Sequence, residues 1–246
     1  AHEARGKSGM SWVPTIVRLA LLTLLVAFLV RPEWFEPLLV PLTRNNAPAI
    51  YNQGSLLALA GQHLVTVAIA SVAAAVVAIG MAILVTREAG AEFLPLARSV
   101  VNVGQTFPPV AVLALAVPAV GFGERPTLIA LFLYGLLPIF ENTLAALTTL
   151  PQNVMEAARG VGMTELQRLL RVELPLSMPL ILAGIRISVV ISLATATIGS
   201  TVAAKTLGEV IIAGLLSSNL AFVLQGGLVI AAMAILIHDG LFALER

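Results

Sequence analysis

Long apolar stretches without Asp, Glu, Lys or Arg alternate with short polar segments along most of the chain. A bilayer core about 30 Å thick takes about 20 apolar residues in a helix, so each such stretch predicts a membrane-spanning helix. The clearest one, residues 64–85, contains no charged residue. Six spans are predicted, at about residues 12–30, 64–85, 99–121, 126–150, 176–203 and 220–238.

Two of the six spans have unusual flanks or interruptions. The third contains Pro108-Pro109 and Pro118, which remove backbone donors and predict a break or kink. The first follows basic residues, as the apolar part of a signal peptide would, but no small-residue cleavage site comes after it. We expect a retained membrane anchor. The proline-rich residues 31–48 are predicted to be a non-helical external connector.

The composition indicates a polytopic membrane protein. Of the 246 residues, 59% are hydrophobic and 11% are charged, whereas about a quarter of a soluble domain is charged. A formal net charge of +1 provides no basic surface for nucleic acid. The absence of Cys excludes disulfides, thiolate metal sites and cysteine nucleophiles. We expect an all-α fold in a lipid bilayer, with no metal site and no nucleic-acid partner.

The distribution of Lys and Arg between the spans predicts the orientation, because short cytoplasmic loops carry more of these residues than external loops. An N-terminus in the cytoplasm puts eight of them inside and four outside, without counting Arg18 and Arg186, which lie within spans. The inner set is Arg5, Lys7, Arg87, Arg98, Arg159, Arg168, Arg171 and Arg246, and the outer set is Arg31, Arg44, Arg125 and Lys205. A cytoplasmic N-terminus is therefore predicted.

Residues 151–175, between the fourth and fifth spans, are the most polar internal segment and are predicted to be cytoplasmic. We call this segment the elbow. Asn153 stands three residues before Glu156, and Thr164 stands three before Gln167. Each pair can satisfy free amide groups at a helix start, so two short helices are predicted.

Glycine and proline positions predict where these two helices end. Gly160 and Gly162 are expected to form the turn between them, and Pro175 to end the second. The second helix is predicted to be amphipathic, with Leu166, Leu169 and Leu170 on one face and Gln167, Arg168 and Arg171 on the other. The elbow is either a docking element for a soluble partner or a cap on the helix bundle, with Glu156 serving only to cap a helix.

The residue spacing in the elbow resembles a family signature. Glu156-Ala157-Ala158 is followed after three residues by Gly162, and after nine more by Val172-Glu173-Leu174-Pro175. The EAA signature of binding-protein-dependent ABC importer permeases has the same spacing, with Ile in place of Val172. The resemblance implies a type I ABC importer (MetI-like) permease fold in which the elbow is the coupling helix. The residues it implies for coupling to the ATPase are Glu156, Ala157, Ala158, Gly162, Val172, Leu174 and Pro175.

Within this family the chain is similar to osmoprotectant permeases for glycine betaine, choline and related quaternary amines. It most resembles the shorter permease subunit of the Yeh-type low-affinity betaine importer, over about residues 54–243. Residues 1–53 carry little of the resemblance, so we expect an N-terminal region ahead of a permease domain at residues 54–246. One departure is Ala-Ala-Lys-Thr-Leu-Gly at residues 203–208, where many osmoprotectant permeases have Gly-Ala-Gly-Gly-Leu-Gly.

The resemblance also implies a non-catalytic transport subunit of the bacterial inner membrane. ATP and Mg would be bound by partner ATPase subunits and no cofactor by this chain, which has no Gly-x-x-x-x-Gly-Lys-Ser/Thr phosphate loop. The other implied partners are a second permease subunit, expected to be a different chain, and an external substrate-binding protein. A permease for another small polar solute, or an ion-coupled secondary transporter with broken helices and a buried Glu141, are the alternatives.

Polar residues inside the spans are candidates for the translocation path or for helix pairing. A charge at mid-membrane costs about 2.5 to 3.5 kcal/mol on insertion scales, so Arg186 is expected to pair with Glu141 or to contact a substrate carboxylate. Ser192 and Thr195 suit either close helix packing or the path. Asn102, Gln105 and Thr106 suit either the path or the free carbonyls at the Pro108 break. Outside these candidates, we expect Asp239 to be solvated, and His63 and His238 to lie at helix ends.

Overall fold

A computed structural model describes residues 12–245, with side chains described from residue 15 onward. Arg5, Lys7 and Arg246, which entered the orientation count, lie outside the described residues. The α-helices are α1 (Trp12–Val30), α2 (Glu36–Leu39), α3 (Leu56–Val85), α4 (Leu94–Thr106), α5 (Pro109–Val120), α6 (Glu124–Thr148), α7 (Gln152–Gly160), α8 (Glu165–Arg168), α9 (Leu174–Thr195), α10 (Gly208–Leu216) and α11 (Leu220–Leu244). Short 3-10 helices cover Pro32–Phe35, Val40–Leu42, Ala91–Phe93 and Ala196–Val202, and a π-helix covers Leu169–Glu173.

Within the described residues, four helices are long and apolar enough to cross a membrane, or up to six if each of two bent pairs is one span. The four are α3, α6, α11 and the continuous helix Glu165–Val202. The bent pairs are Thr15–Val30 with Pro32–Leu42, at 110°, and Ala91–Thr106 with Pro109–Val120, at 99°. The six predicted spans agree with the upper count.

Prolines determine where the bent spans break. Phe107 and Pro108 have extended backbone angles between α4 and α5, which confirms the predicted break in the third span. Residues 31–48 were predicted to be non-helical, and this is wrong for residues 32–42, which form three short helical turns. Each turn has a proline at its first or second position. The N–H of a residue at these positions makes no hydrogen bond within the helix, so proline, which lacks the N–H, is tolerated there.

The fifth span begins earlier than predicted, because the helix Glu165–Val202 passes through Pro175 without ending. Pro175 lies in the first turn of α9, directly after the π-helix Leu169–Glu173. In a π-helix the backbone hydrogen bonds join residues five apart. The hydrogen-bond pattern just before Pro175 therefore differs from the regular α-helical pattern that a proline interrupts. The expectation that Pro175 ends the second elbow helix is therefore wrong.

The core of the bundle is α6, which packs between α3 and α9. Ala74, Ala78 and Ala82, four residues apart on α3, are fully buried. A Cβ atom at Gly135 of α6 would lie 3.1 Å from the Cβ of Ala74, and one at Gly184 of α9 would lie 2.9 Å from the carbonyl oxygen of Pro138. Small residues at these crossings let the three helix backbones approach closely, as is usual in membranes.

The N-terminal helix and the segment after it are attached to the last helices at both ends. Arg18 of α1 forms an ion pair with Asp239 of α11 at 2.7 Å, and Asp239 stays partly exposed to solvent. At the other end, the hydroxyl of Tyr51 donates to Glu209 of α10 at 2.8 Å. Burial and the neighbouring Glu209 carboxylate raise the pKa of Tyr51, so this phenol remains protonated and able to donate.

Candidate functional site

The first elbow helix, α7, presents the predicted coupling residues unequally. Glu156 and Ala157 are exposed, whereas Ala158 is buried against the bundle. The helix begins after Pro151, and Asn153 lies inside its first turn, so the predicted Asn153 cap is wrong. Glu156 accepts a hydrogen bond from the side chain of Gln152 at 3.0 Å. Its carboxylate is therefore free of any capping role and accessible to a partner.

The turn after α7 is a Schellman turn built on Gly162. Gly162 has φ +79°, and its N–H donates to the carbonyl of Arg159 while that of Met163 donates to the carbonyl of Ala158. This confirms Gly162 as the turn residue, whereas Gly160 is the last residue of α7. The predicted Thr164–Gln167 cap of α8 is also confirmed, with both reciprocal hydrogen bonds present.

Two of the three leucines on the predicted apolar face of the second elbow helix, Leu166 and Leu170, are exposed, and the third, Leu169, is half-buried. Val161, Leu166 and Leu170 are 74%, 63% and 57% exposed, while Arg168 on the other face is largely covered. Large apolar side chains grouped on the surface of a polar segment mark an interaction site. Of the remaining signature residues, Pro175 is exposed, and Val172 and Leu174 are half-buried where the elbow joins α9.

A polar cavity of about 620 Å³ lies between the elbow and the ends of α3 and α6. Its lining includes Arg87, Glu156, Arg168 and Glu173. Glu173 is buried and pairs with Arg87 at 2.5 Å. We did not single out Glu173 as a site residue from the sequence, although it occupies the variable position of the signature. An acidic residue that separates the apolar Val172 and Leu174 is the signal that was available.

The predicted pairing of Arg186 with Glu141 is wrong. Arg186 forms an ion pair with Glu245 at 2.6 Å, contacts His238 at 2.9 Å and lies over the ring of Phe242. Glu141 instead pairs with Arg98 of α4 at 3.2 Å. The reason is the rotation of α9 about its axis. Gly184 is the residue of α9 that packs on α6. Arg186 follows two residues later in a helix of 3.6 residues per turn, so its side chain points to the opposite side, towards α11.

Because Arg186 and Glu141 share no partner, we expect their substitutions to act independently. A double-mutant cycle of Arg186→Gln and Glu141→Gln should give an interaction energy within about 0.5 kcal/mol of zero. The matched cycle of Arg186→Gln and Glu245→Gln should give about 0.5 to 3 kcal/mol, because those residues are in contact. Denaturant unfolding of the purified protein in detergent measures both. A larger energy for the first cycle than for the second would contradict the observed pairing.

The polar residues before the Pro108 break are exposed and bonded mainly to their own helix. Asn102 donates to the carbonyl of Arg98, and Thr106 to that of Val103. Gln105 reaches across to the carbonyl of Tyr134 on α6 at 3.2 Å, and the Tyr134 hydroxyl donates to the carbonyl of Phe107. The Tyr134 hydroxyl thus satisfies one backbone carbonyl at the break, that of Phe107. The path-lining role of Asn102, Gln105 and Thr106 stays a prediction.

The hydroxyl residues of α9 occupy two environments. Ser192 is fully buried within the helix packing, while Thr195 is half-buried at the end of the helix. For Ser192 the burial favours helix contact over a path lining. His63 does not lie at a helix end; it is buried inside α3, with Nε2 3.0 Å from the carbonyl oxygen of Leu193 and Nδ1 accepting from the N–H of Leu207. Within residues 12–245, no group of three or more His, Asp or Glu side chains could hold a metal ion.

Some known proteins are similar to this chain in sequence, and some solved structures are similar to it in fold. Residues 78–241 match the family described as "Binding-protein-dependent transport system inner membrane component". The osmoprotectant import permease protein OsmY of Salmonella typhimurium is 41% identical over 191 residues, which are 78% of this chain and 80% of that protein. The glycine betaine/carnitine/choline transport system permease protein OpuCB of Bacillus subtilis is 35% identical over 198 residues, 79% of this chain and 89% of that one.

A solved structure of the MetNI methionine ABC transporter in an inward-facing conformation has a chain similar in fold, with a TM-score of 0.68. The similarity covers 76% of this chain and 92% of that one at 20% sequence identity. At this identity the similarity shows the fold alone. It confirms the MetI-like architecture predicted from the elbow.

Proposed function

The chain belongs to the family of binding-protein-dependent transport system inner membrane components, and we propose that it forms the membrane path of an ATP-driven importer for osmoprotectants such as glycine betaine or related quaternary amines. The family confirms the resemblance on which the ABC permease prediction depended. The substrate class is supported by the similarity to permeases named for osmoprotectants, glycine betaine, carnitine and choline, at 35% to 41% identity.

The observation that supports energy coupling most strongly is the exposed surface of the elbow. It combines the accessible carboxylate of Glu156 with the apolar side chains of Val161, Leu166 and Leu170. A patch of this kind suits a protein partner better than water, because desolvating its leucines is favourable while its carboxylate gives directionality. The partner proposed for it is the ATPase subunit that binds ATP and Mg. The elbow and the N-terminus would then face the cytoplasm.

The composition of the chain supports a path of low affinity. Quaternary ammonium sites use the faces of aromatic rings, and aromatic residues make up only 5% of this chain. An external binding protein would therefore supply the affinity, and this chain, paired with a second permease subunit in the inner membrane, would supply the passage. Two ATPase subunits require two such docking surfaces, one from each permease.

Uptake into proteoliposomes tests the proposal. The chain would be reconstituted with its partner permease and ATPase, supplied with the external binding protein, and offered labelled glycine betaine, choline, carnitine and a matched neutral amino acid. We expect accumulation of at least one quaternary amine when ATP is enclosed, and none with ADP. Uptake driven by a Na⁺ or H⁺ gradient without ATP would contradict the proposal and favour a secondary transporter.

A further inference from the structure

Glu173 is an unusual acid in this protein. Among the acidic residues that the structure describes, it alone is buried, with 3% of its surface exposed. Taking a carboxylate out of water costs several kcal/mol unless opposite charge and hydrogen bonds compensate. A buried charge at the junction of the elbow and α9 therefore requires a specific partner, and that partner determines what the junction is attached to.

The partner is Arg87, which follows the C-terminal end of α3. Its two terminal nitrogens donate to the two oxygens of Glu173, at 3.2 Å and 2.5 Å. The same guanidinium donates to the carbonyl of Ile83 and to the hydroxyl of Thr86. Two-pronged Arg–carboxylate pairs restrict orientation as well as distance. Arg87 thus fastens the elbow to the end of α3 through one carboxylate.

A second cation belongs to the elbow itself. Nε of Arg168 lies 4.0 Å from Oε1 of Glu173, within ion-pair range. This nitrogen is buried and makes no hydrogen bond to the described residues. Glu173 therefore lies between one cation just after α3, Arg87, and one at the end of α8, Arg168. We call Arg87, Arg168 and Glu173 the elbow latch.

The backbone between Arg168 and Glu173 is the π-helix Leu169–Glu173. Such segments are rare, occur mostly as single turns within α-helices and are frequent at functional sites. Here the segment leads into Pro175, which cannot donate a helical hydrogen bond. The helix is thus irregular at the point where the elbow meets the membrane span. The latch lies beside this irregular turn and joins it to the end of α3.

We propose that Glu173 is a positioning residue for transport: it makes the elbow and the end of α3 move together when the ATPase closes. Because α3 packs along α6 and α9, movement of α3 reaches the core of the bundle. The inference depends on the proposed function, since it requires an ATPase docked on the elbow. It adds a second connection from the elbow to the spans, beside the covalent one through α9.

The test is the amount of substrate transported per ATP hydrolysed by the reconstituted complex. Glu173→Gln keeps the shape of the side chain and removes its charge. We expect it to enter the membrane, bind the ATPase and hydrolyse ATP, while glycine betaine uptake per ATP falls at least tenfold. The control is Glu88→Gln, an equal change at an exposed carboxylate next to Arg87, which should keep the wild-type ratio.

A second variant separates positioning from simple stability. Replacing both Arg87 and Glu173 by Met removes both charges of the buried pair at once. Folded proteins often tolerate the replacement of a buried ion pair by apolar side chains of similar volume. We expect this double variant to assemble but to remain poorly coupled. A wild-type ratio in either Glu173→Gln or the Met pair overturns the proposal, because the pair would then be structural only.

If neither variant accumulates in the membrane, Arg87→Lys decides. It keeps the charge but loses the two-pronged contact, and the ratio is expected to fall at least threefold; an unchanged ratio overturns the latch. The comparison of variants requires a wild-type complex that takes up glycine betaine when ATP is supplied. A wild-type complex with no ATP-driven uptake contradicts the proposed function instead, so the two failures are distinguishable.

Discussion

Gly162→Ala is expected to lower ATP-driven uptake roughly 5- to 30-fold. An alanine held in the left-handed backbone conformation costs about 1 to 2 kcal/mol, which corresponds to that factor in an equilibrium. Gly162 has φ +79°, and its N–H closes the turn that orients α8 against α7. Alanine favours negative φ, which would turn the exposed side chains of Leu166 and Leu170 away from their observed direction. The energetic cost then appears as a smaller fraction of protein with the docking surface assembled.

Gly160→Ala is the matched control for this substitution. Like Gly162, Gly160 is exposed, and a Cβ atom at either position would meet nothing within 4 Å. The two glycines differ in backbone conformation, since Gly160 is helical and needs no positive φ. We expect Gly160→Ala to keep wild-type uptake. Co-purification of the ATPase with each variant locates the defect, and equal uptake by the two variants would show that this turn is not needed for coupling.

Gly208→Ala is expected to destabilise the folded protein by about 3 kcal/mol, at the upper end of what one inserted carbon usually costs. A Cβ atom at Gly208 would overlap the carbonyl group of Thr197, lying 2.6 Å from its carbon. Neither group can move aside easily, because Leu207 next to Gly208 is fully buried. The 3-10 segment Ala196–Val202 and α10 would therefore have to separate.

Gly227→Ala provides the comparison for Gly208→Ala. Gly227 lies inside α11, and a Cβ atom there would meet nothing within 4 Å. Helix propensity alone predicts a gain of up to about 1 kcal/mol. Thermal unfolding in detergent and the amount of protein in the membrane would be measured for both. Similar stabilities for the two variants would contradict the close approach of α10 to residue 197.

Gly208 ends the segment Ala-Ala-Lys-Thr-Leu-Gly at residues 203–208. It is the one glycine of this segment, and a side chain there would overlap the backbone of Thr197. Ala203 has φ +64° despite its Cβ atom. The segment thus contains one non-glycine residue in the left-handed region, which is uncommon for alanine.

Local features were predictable from the sequence because each depends on neighbours within a few residues. The membrane spans follow from uninterrupted apolar length, the α8 cap from Thr164 and Gln167, and the turn from Gly162. The same local reasoning failed where a neighbouring feature competed. Asn153 was predicted to cap a helix that in fact begins after Pro151, and Pro175 was predicted to end a helix that continues through a π-helical turn.

The sequence alone therefore determined the number of spans, the position of the elbow and its family signature, all of which are properties of contiguous segments. Only the tertiary structure decided which charges meet. Arg186 faces α11 because Gly184 turns the other side of α9 towards α6, and Glu173 meets Arg87, 86 positions earlier in the chain. Such pairs depend on how each helix is rotated about its axis. That rotation is determined by close packing of small residues against distant helices, which no local pattern records.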